Sequence, residues 1–80
     1  MYNAIRSNKT LGSVVTLGSY AEMVDAMNAI KADYVDTLFN SVDPYRLMCS
    51  TGCDSLKMEN ATYITACDVD VDIAWSVERA

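Results

Sequence analysis

The stretch Asp68-Val69-Asp70-Val71-Asp72-Ile73-Ala74-Trp75-Ser76-Val77-Glu78 sorts its side chains by odd and even position. Val69, Val71, Ile73, Trp75 and Val77 fall on one side; Asp68, Asp70, Asp72, Ala74, Ser76 and Glu78 fall on the other. Successive side chains of a strand point to opposite faces, so a period of two sustained this long predicts a half-buried antiparallel strand. Wound as a helix, the same residues would scatter both sets around the axis.

Just upstream, Asn60 to Ala66 contains Thr62, Tyr63, Ile64 and Thr65, the branched and aromatic composition of a second strand. Before it, Ser50-Thr51-Gly52 reads as a loop. Asp43-Pro44 reads as an N-cap followed by proline at the first helical position, opening a short helix over Tyr45 to Cys49.

The period changes further back. Tyr20, Met23, Val24, Met27, Ile30, Tyr34, Val35 and Leu38 recur at helical spacing, with Glu22, Asp25, Asn28, Asp36 and Asn40 mostly off that stripe. Ser19 with Glu22 three residues on fits a capping box. A helix over 19–39 is predicted, roughly 30 Å long at 1.5 Å per residue. Residues 2–17 read as strand, either a hairpin turning near Ser7 to Thr10 or one longer strand with a frayed start. The order is β(β)-α-ββ. It predicts a single α+β domain over 1–80, with a three- to four-stranded antiparallel sheet carrying one long amphipathic helix on one face. Trp75, Tyr20 and Tyr34 are then core, and Met23, Met27, Met48 and Met58 fill gaps in it.

At 80 residues the chain buries only about 60% of what it exposes unfolded, and its hydrophobic fraction of 51% suffices for a core. No apolar run is long enough for a membrane helix, and the bases of residues 1–10 are not followed by the apolar segment of a secretory leader. Three cysteines, an odd number, suit a reducing compartment, so a cytoplasmic protein is expected. Eleven acids against six bases give a net charge of −5, and the bases Arg6, Lys9, Lys31, Arg46, Lys57 and Arg79 form no cluster. Direct nucleic-acid binding needs a basic surface, so neither that nor an anionic membrane is the expected partner.

Catalytic equipment is sparse. Histidine, the commonest general base and metal ligand, is missing. The three glycines, Gly12, Gly18 and Gly52, make no phosphate loop or nucleophile elbow. Cys49, Cys53 and Cys67 offer three thiolates, which Asp54 or Asp68 would have to complete for zinc. Reduced thiols without metal or cofactor are the expected state, and the chain is not expected to be an enzyme.

Asp68, Asp70 and Asp72 form the most distinctive pattern. On one face of a straight strand they would stand about 6.6 Å apart, close to the spacing of phosphates along one nucleic-acid strand. Such a ladder reads as a phosphate mimic, as a row that recruits Ca²⁺, or as a solvated face whose charge discourages edge pairing. The expected function is a small acidic inhibitor that occludes the basic, nucleic-acid-binding surface of a protein partner. Phage anti-CRISPR and anti-restriction proteins offer the analogy in size and charge. Asp68, Asp70 and Asp72, the helix acids Glu22, Asp25 and Asp36, and Tyr45 are the candidate contacts. The alternative is an assembly subunit that homo-oligomerises, as a dimer or more, through its sheet.

Overall fold

Trp75 is fully buried, and the molecule is built around it. In the computed structural model, which describes residues 1–80, five antiparallel strands make one sheet. They are β1 (Tyr2–Asn8), β2 (Ser13–Tyr20), β3 (Gly52–Cys53), β4 (Tyr63–Asp68) and β5 (Val71–Arg79), in the order β2-β1-β5-β4-β3. The helix α1 (Met23–Phe39) lies over β2, β1 and β5, while the shorter α2 (Pro44–Cys49) packs on β4. The α+β class and the single long helix match the sequence reading. The fifth strand is the two-residue β3, too short to leave a periodic signal.

The β1–β2 hairpin turns through Lys9–Gly12, a few residues beyond the expected Ser7 to Thr10. Asn8 Oδ1 accepts the Leu11 N–H at 3.1 Å, and Gly12 takes φ 69°, a left-handed conformation that glycine adopts without steric cost. Tyr2–Ala4 pair with Gly18–Tyr20 and Ile5–Asn8 with Ser13–Thr16, so Leu17 is an extra residue, a β-bulge in β2.

That pairing overturns the expected helix start. Ser19 is strand: it pairs with Asn3, and its hydroxyl donates to Asn3 Oδ1 at 2.6 Å. The helix begins at Met23 after Glu22, and no side chain caps it, so the capping box does not form. Backbone pairing with β1 satisfies Ser19 before the helix can. Seventeen residues make α1 about 26 Å long.

Ala26, Ile30 and Tyr34, four residues apart on one stripe, are the buried residues of α1. They meet Ala4, Ile64, Ala66, Ile73 and Trp75 in one apolar cluster that also holds Leu47 and Ala61. Tyr34 meets Trp75 edge-on, with ring centroids 5.4 Å apart at 83°. Asp33, next to Tyr34, joins three elements through one carboxylate. Arg6 Nη1 donates to both its oxygens at 3.0 and 2.9 Å, and Trp75 Nε1 donates to Oδ2 at 2.8 Å. Met23, Val24 and Val35, expected on the core stripe, are each about half exposed, and Met48 with them. The helix carries apolar residues on both sides, and the narrow sheet beneath it covers only one.

The second correction concerns Asp68–Glu78. These residues are two strands. Val69 and Asp70 form a two-residue turn, and Asp68 pairs with Val71 across it. The parity flips there: Val71, Ile73, Trp75 and Val77 face α1 in β5, whereas Ile64, Ala66 and Asp68 face the helical layer in β4. No helix of the structure is long and apolar enough to cross a membrane.

Candidate functional site

Asp43 accepts the Arg46 backbone N–H at 3.0 Å and Pro44 follows it, as the sequence predicts, so α2 starts sharply after the loop Asn40–Val42. The opposite wall is the β4–β5 turn. Asp68 Oδ1 accepts the Val69 N–H at 2.8 Å and, at 2.9 Å, also meets Arg46 Nε. Between the two walls lies a recess of about 500 Å³, lined by Ser41, Val42, Asp43, Arg46 and Leu47 on one side and by Asp68, Val69, Asp70 and Val71 on the other.

The surroundings of this recess combine two properties. Val42 and Val69 stand out into solvent, Phe39 is 81% exposed, and Tyr45 is 72% exposed on α2. Asp43 and Asp70 lie at the rim of the recess, whereas Asp36, one helical turn before Phe39, opens onto the other flank of α1 beside Leu17 and Tyr20. Only Asp68 is matched by a cation, and that cation, Arg46, is itself 63% exposed. Exposed aromatic and aliphatic side chains gathered in one place, with a charged rim, are the composition of a contact surface for another protein.

The structure disperses the other predicted contacts. Asp68 faces the helical layer, Asp70 is in the turn, and Asp72 lies on the opposite face of the sheet, across from Cys67. The ladder on one face therefore does not exist, because the turn after Asp68 ends the strand. Neither turn residue has positive φ, and glycine and asparagine are absent there, so the turn left no composition signal. Glu22, which precedes α1, and Asp25 in its first turn lie about 21 Å and about 16 Å along its axis from Asp36. Asp68 and Asp70 are thus the candidates brought to the recess, with Tyr45 on the short helix that forms its wall; Asp36 lines a separate groove with Leu17 and Tyr20. Val42, Asp43 and Val69 join Asp68 and Asp70 in the recess, and Phe39 ends α1 just before; no periodicity in the sequence marks Phe39 or Val42.

Elsewhere the carboxylates are structural. Asp54 accepts the Thr62 hydroxyl, the Thr62 backbone N–H at 2.9 Å and the Tyr63 N–H at 3.2 Å. The Thr62 hydroxyl above all, helped by those backbone donors against a little desolvation, holds the Asp54 carboxyl below its ordinary value. Cys49, Cys53 and Cys67 are free and exposed, and no three Cys, Asp or Glu side chains gather into a set that could hold a metal ion. No protein-family model, curated protein or solved structure matches the chain.

Proposed function

We propose that this protein is a non-catalytic binding protein that docks on a basic surface of a protein partner through the end of the molecule bearing Phe39, Val42, Asp43, Tyr45, Val69 and Asp70. The observation that carries this reading is the meeting of two carboxylates without a cation, Asp43 and Asp70, with the strongly exposed Val42 and Val69 around one recess. Exposed apolar groups supply the affinity of a protein contact, and carboxylates at the rim select a cationic counterpart and speed encounter with it. A basic protein surface is often one that holds nucleic acid, so occupying it would block that activity. This is the mode of action of the phage inhibitors to which the size and charge are analogous.

The test starts from affinity capture in the organism that encodes the protein, followed by binding kinetics with the purified partner over a range of salt. Asp43→Asn with Asp70→Asn should slow association and flatten the salt dependence. Phe39→Ala or Tyr45→Ala should instead speed dissociation, costing about 1–3 kcal/mol of affinity. A partner whose contact surface is acidic, or affinities equal across all four proteins at every ionic strength, would exclude this surface.

A further inference from the structure

The two edges of the sheet differ. β3 contributes two residues, and that edge offers almost no backbone for pairing. β2 is eight residues long, Ser13-Val14-Val15-Thr16-Leu17-Gly18-Ser19-Tyr20, and its outer side faces no other element. Edge strands of this length are usually guarded by lysine, proline or inward-pointing charge. Here no charged residue and no proline occurs from Thr10 to Ala21, the longest uncharged run in a chain of net charge −5. Val14 is 70% exposed and Val15 40% exposed, so apolar surface lies on both faces of the bare edge.

We propose that the β2 edge is the interface of a homodimer, in which two copies pair antiparallel about a twofold axis near Val15 and form one continuous ten-stranded sheet. Charge selects the second copy as the occupant. A basic partner gains nothing from a neutral strand, whereas two chains that each carry −5 can approach closely where neither presents a carboxylate. The bulge at Leu17 interrupts regular pairing only in the second half of the strand, leaving Ser13–Thr16 as a straight run on either side of the axis. The assembly closes at two, because the free edges of the pair are both β3. The axis is perpendicular to the sheet, so both α1 helices lie on the same side. An edge contact of this length buries less than the ~800 Å² per partner of a standard interface, the size class of weak, reversible association.

Sedimentation equilibrium from about 1 µM to 1 mM tests this. The mass should rise from 8.8 kDa to twice that value. Added salt should strengthen the association, since it screens the repulsion between like-charged chains. That sign is opposite to the one expected for capture of a basic partner, so the two readings stand or fall separately. Val15→Lys should weaken dimerisation at least tenfold with an unchanged circular dichroism spectrum, and Tyr63→Lys, on β4, should leave it unaltered. Concentration-dependent amide shifts in the unsubstituted protein should centre on Ser13–Tyr20, a readout that needs no variant. A monomer at 1 mM, or a dimer whose shifts map elsewhere, would overturn the proposal.

Discussion

Arg6 with Asp33 and Arg46 with Asp68 meet at the same distance, 2.9 Å, through carboxylates of similar exposure, 18% and 21%, and differ in the arginine and in what else the carboxylate holds. In the first pair the side chains are 33% and 18% exposed, and the same carboxylate also holds the Trp75 indole. In the second the arginine is 63% exposed, and the pair closes one side of an open recess. Low local dielectric strengthens a charged hydrogen bond and makes an unmatched charge costly, whereas water at the surface weakens both effects. The comparison teaches that the same two residue types lock the fold in one place and in the other bridge the walls of an open recess.

The harshest way to break this comparison is to remove the ring on which the inner pair rests. Trp75→Ala should cost about 3–5 kcal/mol in chemical denaturation, because a fully buried indole leaves a cavity and Asp33 loses a donor. An unchanged midpoint would mean that the inner pair has no rigid anchor. Asp33→Ala should cost about 2–3 kcal/mol, since it strands the Trp75 N–H and leaves Arg6 without its counter-ion. Asp68→Asn should change stability by no more than about 0.5 kcal/mol. A double-mutant cycle on each pair sharpens the contrast: coupling should be measurable for Arg6–Asp33 and close to zero for Arg46–Asp68.

The smallest effect comes from a carboxylate that has no cation. Asp54 is held below its ordinary value by Thr62 and Tyr63, so its contribution is fully present above the unfolded-state value, about pH 4, and is lost as pH falls through the lower folded-state value. Thr62→Val removes the strongest donor, so it should lower stability slightly at pH 7, where that contribution is fully present, and flatten the acid limb. Titration of the melting temperature from pH 5 to pH 2 measures it. Identical limbs for the two proteins would remove Asp54 from the account.

The sequence carried the α+β class, the core roles of Trp75 and Tyr34, and the Asp43-Pro44 helix start, because periodicity and local capping chemistry express them directly. What it hid depended on pairing between distant segments. Ser19 looks like a helix cap until Asn3 is seen opposite it in the ladder. Val69-Asp70 continues the alternation so smoothly that only the register of β4 against β5 exposes the turn. Asp33 was lost among the acids of α1, for nothing in its neighbourhood announces Arg6 and Trp75, 27 and 42 residues away. The candidate site was legible in part. Charge and composition mark Asp68, Asp70 and Tyr45, but their approach to one recess follows from the turn and from α2 packing on β4.

The placement of β5 has a kinetic consequence. The β1–β2 and β4–β5 hairpins can each form locally, yet the residues that join them, from Tyr2 against Arg79 to Asn8 against Ile73, are 65 to 77 positions apart in the chain. Closing a loop of that length must be completed before any of its contacts repays the lost entropy. Folding is therefore expected to be limited by the docking of two preformed hairpins. Weakening the Ala4–Val77 pairing should slow refolding, while changes in α2 should mainly hasten unfolding. Until that docking occurs, the two strands that become the middle of the sheet each present a bare edge to other chains, and the interval before closure is when this molecule is most exposed to aggregation.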